Sequence, residues 1–214
     1  ARPFPVVPER QVVPVSATAI REDLTRNWGH VPLPVRNHYQ RRLVLVGAES
    51  TGKTVLCKAM AARLKSIPIP EYGREYDAVF RHGQDWVAAD FEAIMAGHKA
   101  LAETMADRGG PIMVEDTDAL QTLVWAEALL GKVHKPLVDW ARSAVAGKTY
   151  LLLDHATPWQ DDGTRHFADP VRRAWFTRKL RFWLDELGAE WKSIEGENWA
   201  KRTAAAYACL DTLS

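Results

Sequence analysis

The run Gly47-Ala48-Glu49-Ser50-Thr51-Gly52-Lys53-Thr54 sets two glycines, a lysine and a hydroxyl at the spacing G-x-x-x-x-G-K-[ST], a pattern suited to holding phosphate. Gly47 and Gly52 let the backbone turn tightly and bring N–H groups against phosphate oxygens, and a helix opening behind them adds its positive end. Lys53 is expected to reach the β- and γ-phosphates of ATP. Glu49, Ser50 and Thr51 complete the cradle, and the Thr54 hydroxyl takes one position on Mg²⁺. The context fits as well: Leu43-Val44-Leu45-Val46 reads as a strand before the cradle, and Val55, Leu56, Ala59, Met60 and Leu64 fall on one helical face after it.

Three further segments carry residue types that such a cradle would need. An acidic residue at the end of a neighbouring strand holds the magnesium in nucleotide-binding enzymes of this kind. Ile112-Met113-Val114-Glu115-Asp116-Thr117-Asp118 supplies it. Asp116 is assigned to the metal, and Asp118, which points the same way if the strand continues, to the substrate; the alternative is a pair of ordinary N-cap acids for a helix starting near Ala119. Glu71-Tyr72-Gly73-Arg74-Glu75-Tyr76 follows a weak strand at the edge where open α/β sheets hold ligands. Glu71, Tyr72, Arg74 and Glu75 suit a polar acceptor such as a sugar, or else form a solvated helix start. Finally, the segment from Trp159 to Asp169 has the polar character of a lid. Arg165 within it is the candidate for neutralising charge in the transition state, or is a loop arginine paired with Asp161 or Asp162. Among nine tryptophans, Trp86, Trp125 and Trp159 lie near these polar segments, and Trp125 is the candidate to stack a flat ring.

These groups need a scaffold, and the alternation of short apolar runs with longer amphipathic segments predicts an α/β fold with a parallel sheet. Strands are expected at 43–46, 67–70, 112–114, 150–153 and 191–194. A helix carries Phe91, Ile94, Met95, His98, Leu101 and Met105 on one face. Another opens at Asp169-Pro170, turns Phe176, Leu180, Leu184 and Leu187 inward, and stops at Gly188. A last helix from about Asn198 packs Trp199, Ala206, Tyr207, Leu210 and Leu213. Prolines at 3, 5, 8, 14, 32 and 34 mark residues 1–40 as a linker or fragment edge, distinct from a main domain at 41–214.

The 28 basic and 27 acidic side chains leave a formal charge of +1. No overall field therefore argues for nucleic acid or an anionic membrane as partner. No apolar run approaches a membrane span, and Cys57 and Cys209 read as buried reduced thiols, which points to a cytoplasmic setting. The absence of an initiator methionine suggests a start partway into a longer polypeptide.

Taken together, VGAESTGKT, PEYGREY, Gly97-His98, VEDTD and DDGTR resemble, in order, the ribosylnicotinamide kinase domain of the NadR family of NAD-biosynthesis proteins. Val15-Ser16-Ala17-Thr18-Ala19-Ile20-Arg21 is similar to the family's ISxTxIR element, which ends a preceding nicotinamide mononucleotide adenylyltransferase domain; the HxGH signature of that domain is missing here. The resemblance implies a P-loop nucleoside-kinase-like three-layer fold with a lid. It also implies ATP- and Mg²⁺-dependent phosphorylation of the 5′-hydroxyl of nicotinamide riboside, and a covalently linked upstream nucleotidyltransferase domain. Residues 47–54 then bind ATP phosphates and magnesium, Asp116 and Asp118 match the acidic strand end, Arg165 the lid arginine, and Glu71, Tyr72, Arg74 and Glu75 the segment near the riboside. Ala48 and Thr51 depart mildly from the family's common glycine and serine, and Glu115 adds a third acid. Asp116 and Glu71 both remain contenders for the proton of the 5′-hydroxyl. Two other readings fit the same residues: a kinase for another nucleoside, and an ATP-sensing module without turnover.

Overall fold

A computed structural model describes residues 15–155, 169–196 and 198–212. Five parallel strands form one sheet: β1 (Arg41–Gly47), β2 (Pro68–Ile69), β3 (Ile112–Asp116), β4 (Lys148–Leu153) and β5 (Glu190–Ile194), in the order β2-β3-β1-β4-β5. All five lie where the apolar runs predict them. Register is continuous across the centre, with Leu45 beside Asp116 on one side and beside Leu151 on the other.

Strand β1 shows why the sheet needs helices on both faces. Its residues 43–46 are all fully buried, and successive side chains point to opposite sides. Val44 and Val46 enter a core shared with α5 (Ala88–Ala106), α6 (Ala119–Leu130), α7 (Lys135–Ala144) and α8 (Pro170–Glu186). Leu43 and Leu45 enter a second core shared with α3 (Lys53–Arg63) and α9 (Trp199–Asp211). The result is the three-layer α/β arrangement expected from the sequence.

Local chemistry sets the helix ends. Asp169 accepts from the Val171 amide and Asn198 from the Lys201 amide, so both act as N-caps. Gly188, at φ 65°, follows α8 in the left-handed region open to glycine. In α8, Phe176, Leu180, Leu184 and Leu187 are buried as their spacing predicts. Among the described residues of these helix faces, Val55 and Trp199 differ from expectation in being exposed, because each stands in the first turn of its helix beside the cradle rather than over the core; Leu213 lies outside the described residues.

Residues 15–40 do not hang free of this scaffold. After α1 (Ala17–Glu22) comes a 3₁₀ turn at Trp28–His30 and then α2 (Leu33–Tyr39). The Trp28 indole donates to the Gly109 carbonyl at 2.8 Å, and the Gln40 amide donates to the Ala106 carbonyl at 2.7 Å. Val31 is 3% exposed. The proline-marked segment is therefore docked on the end of α5 from Trp28 onward. Between β2 and α5, a short helix α4 (Tyr72–Tyr76) runs into one turn of π-helix at Asp77–Arg81. Both cysteines are free. Among the described residues no helix is long and apolar enough to cross a membrane.

Candidate active site

The cradle sits between the end of β1 and the start of α3. Gly52 has φ 86° and Ser50 φ 60°, a sharply curled backbone that L residues adopt reluctantly and that turns successive N–H groups toward one centre. Side chains hold the curl. The Gly47 amide donates to Gln121 Oε1 at 2.9 Å, and Thr51 Oγ1 donates to the Ala48 carbonyl at 2.9 Å. A methyl group at Gly52 would lie 2.9 Å from the indole of Trp199, so a side chain there is excluded by conformation and by space. Lys53 is buried within the loop, donating to the Gly47 and Ala48 carbonyls at 2.8 and 2.9 Å. Burial lowers its pKa, and the charges of Glu71 and Asp116 oppose that shift.

Asp116 ends β3 beside the cradle. Thr54 Oγ1 donates to its Oδ2 at 2.5 Å, while its Oδ1 is buried without a hydrogen-bond partner. Burial and the nearby Glu71 carboxylate raise the Asp116 pKa, against the pull of Lys53 and of the Thr54 bond. A hydroxyl and a carboxylate held together, with one oxygen unspent, match a hard divalent cation that keeps most of its shell from phosphate and water. No cluster of three or more metal-ligating His, Cys, Asp or Glu occurs among the described residues, and a cation shared with a nucleotide does not require one.

A cleft of about 330 Å³ opens directly on Lys53, near the lower end of the range for small-ligand pockets. Glu49, Glu71, Arg74, Asp77, Thr117, Gln121 and Thr122 give it a polar lining, and Trp86 and Trp125 an aromatic one. Arg74 Nε donates to Glu71 Oε2 at 2.8 Å. The two tryptophans differ in what already covers them. The Arg81 guanidinium lies 3.5 Å from the centre of the Trp86 ring, and Phe91 stacks on Trp86 at 5.1 Å. Trp125 packs at a tilt on Phe176.

Several assigned residues therefore converge: Glu49, Lys53, Glu71, Arg74 and Trp125 line one cleft, with Asp116 and Thr54 at the cradle beside it. Others stand elsewhere. The Tyr72 ring lies over Gly97, where a methyl group would meet it at 2.1 Å; this explains the glycine of Gly97-His98 and takes Tyr72 out of the cleft lining. Glu75 is exposed. The expectation that Asp118 faces the substrate is corrected. Thr117 adopts φ 69°, so the strand does not continue and Asp118 turns to the other face of the sheet. Its Oδ1 caps α6 at the Leu120 amide, and its Oδ2 accepts from Lys148 at 3.0 Å and from Tyr150 at 2.6 Å. Glu115 joins the same buried group: Lys148, Arg42 and His98 lie 3.0, 3.1 and 3.2 Å from its carboxylate. Burial alone would raise the Glu115 pKa, but these partners more than offset it and take it down to about 2. The three acids of VEDTD thus do different work. Arg165 and Trp159 lie outside the described residues.

Gln121 and Arg202 escaped the sequence reading. Gln121 is buried on α6, an unusual place for a glutamine in the mainly apolar run Ala119-Leu120-Gln121-Thr122-Leu123-Val124, and that contrast was the available signal. Arg202 has no such mark.

Comparison with known proteins settles the kinship. The model of the family described as AAA domain matches residues 42–202. The chain belongs to the AAA domain family. Within this AAA-domain kinship it is homologous to the trifunctional NAD biosynthesis/regulator protein NadR of Escherichia coli (strain K12), 30% identical over 201 residues that make up 92% of this chain and 48% of that protein. The NadR of Salmonella typhimurium is likewise 30% identical, over 89% of this chain and 47% of its own length. The chain spans about half the length of these curated relatives, and the resemblance read from its ordered motifs is borne out. In fold it matches a NadR protein solved in complex with NR (TM-score 0.76, 24% identity, 94% of this chain and 59% of that one). It also matches a NadR protein with NAD and AMP-PNP (TM-score 0.73, 24% identity, 95% and 58%). Thymidylate kinase from Ehrlichia chaffeensis shares the fold more distantly, at TM-score 0.59 and 10% identity over 82% of this chain and 99% of that one. The AAA-domain chain is thus built as a P-loop kinase is built.

Proposed function

We propose that this chain is an ATP-dependent kinase that phosphorylates the 5′-hydroxyl of nicotinamide riboside to give nicotinamide mononucleotide, in cytoplasmic NAD salvage. The observation that carries the reading is the small polar and aromatic cleft opening directly on Lys53 of the phosphate cradle, in a chain homologous to NadR over 92% of its length. Residues 41–214 form the kinase unit, and residues 1–40 are the linker and remnant of a preceding nucleotidyltransferase domain, seated on the kinase unit from Trp28 onward.

ATP phosphates sit on the amides of residues 48–54, the Gly47 amide being held by Gln121, with Lys53 exchanging its two carbonyl partners for phosphate oxygens. Thr54 and Asp116 would hold Mg²⁺, which supplies neutralisation of the phosphate charge. Trp125 lies against the pyridinium ring, whose positive charge suits an aromatic face and nearby carboxylates. Glu71 and Arg74 hold the ribose. The acceptor oxygen attacks the γ-phosphorus as the bond from that phosphorus to the bridging oxygen breaks and ADP leaves. The hydroxyl proton goes to Glu71, because Asp116 is committed to Thr54 and the cation. Arg165 of the lid neutralises the γ-phosphoryl oxygens as the bond loosens.

The test is ADP formation by the purified chain with nicotinamide riboside, thymidine, uridine and no acceptor in parallel, with the product identified by mass. Turnover with the riboside alone is expected. Turnover with another nucleoside would overturn the substrate, and ATP binding without turnover on any acceptor would make the chain a sensor.

A further inference from the structure

Among the described residues Arg202 is the largest of the fully buried side chains, at 1% exposure, and it lies on α9, outside every motif that marks the site. Its guanidinium donates to main-chain carbonyls of three separate loops: Nη1 to Thr51 in the cradle at 3.1 Å, Nη2 to Asp154 just past β4 at 2.9 Å, and Nε to Gly196 past β5 at 3.0 Å. Gly196 makes room for it, since a methyl group there would lie 3.0 Å from Arg202 Cγ. The same loops already touch at Gly47, whose added methyl would lie 2.9 Å from the Leu153 carbonyl.

A phosphate cradle works only if its N–H groups face one centre, which requires its carbonyls to face away and to be satisfied there. Thr51 is 2% exposed, so no bulk water serves its carbonyl. We infer that Arg202 is a positioning residue for nucleotide binding: by pinning the outward Thr51 carbonyl to the ends of β4 and β5, it holds the cradle in its phosphate-binding curl. The planar fork of arginine reaches three acceptors at fixed angles, which a lysine ammonium on a flexible stem does not. This role rests on the proposed ATP-dependent reading and touches only its nucleotide half, because Arg202 is no part of the cleft beside Trp125.

The experiment measures affinity for ATP with Mg²⁺ and for nicotinamide riboside by calorimetry, together with melting temperature, on the full chain and on Arg202→Ala, Arg202→Lys and Leu210→Ala. Leu210 is a buried control at the far end of the same helix. Arg202→Ala is expected to bind ATP about 10- to 100-fold more weakly, the scale on which supporting contacts behind a site act, with riboside affinity unchanged. Free guanidinium at a non-denaturing concentration restores part of the loss, Arg202→Lys stays weak, and Leu210→Ala melts earlier but binds ATP as the native chain does. ATP affinity within about twofold of native in Arg202→Ala, full recovery in Arg202→Lys, or an equal loss in Leu210→Ala would each overturn the role. Should Arg202→Ala fail to fold, the affinity of Arg202→Lys decides alone. A native chain that binds no ATP brings down the functional reading itself, and the positioning role with it.

Discussion

Glu115→Gln isolates the charge of the buried group behind the site while keeping its shape and an acceptor oxygen. The native carboxyl is held at about 2 against an ordinary 4.5. A displacement of that size corresponds to about 3 kcal/mol, at about 1.4 kcal/mol per pKa unit. Removing one partner of a buried ion pair costs about 3–5 kcal/mol, so two independent routes give the same scale. Because the folded pKa lies below the unfolded one, the contribution is complete above about pH 5 and is lost as pH falls through about 4.5 toward 2. The assay is thermal melting of both chains from pH 7 down to pH 3. For a chain of this length the variant should melt roughly 7–14 °C lower at neutral pH, and the gap should narrow below pH 4.5. A gap under about 2 °C at pH 7 would refute the reasoning. So would a large gap of constant size across the range, since packing rather than charge would then be responsible.

Three other perturbations follow from the site. Lys53→Ala should fold and melt near the native temperature while losing turnover by at least about 100-fold, as expected for a group acting on the transferring phosphoryl; single-turnover ADP release checks this. Asp118→Asn should lower stability, because Lys148 and Tyr150 lose an ionic acceptor, yet leave the KM for nicotinamide riboside unchanged. A raised KM with intact stability would return Asp118 to the substrate. Trp125→Ala should raise the KM for the riboside roughly 5- to 150-fold, the scale of about 1–3 kcal/mol for one stacked ring, with the KM for ATP held. An equal effect on both substrates would mean that the tryptophan is only core.

The scaffold was largely legible from the chain because its signals are local. Strand β1 alternates two sets of apolar side chains, the cradle carries its own glycines, and α8 and α9 announce themselves with Asp169 and Asn198 caps. What escaped depends on a single dihedral or on distant pairing. The reading of Asp118 assumed an extended Thr117, and one φ of 69° reverses the direction of everything after it. Tyr72 looked like a ligand residue because nothing nearby in sequence reveals that Gly97, on another helix, leaves a seat for its ring. Arg202 meets Thr51 across 151 positions of chain, beyond any periodic pattern. Its role becomes visible only once the three loops are assembled.

The docking of Trp28, Val31 and Gln40 on the far end of α5 bears on how a chain like this can be cut or recombined. The motifs begin at β1, so Arg41 looks like the natural seam. A cut there would strip the Trp28 indole from the Gly109 carbonyl and the Gln40 amide from Ala106, baring the turn that leads into β3 and so into Asp116. The safe junction lies upstream of Trp28. A module fused before that point, by an engineer or by gene rearrangement, joins a short strap already seated on the end of α5.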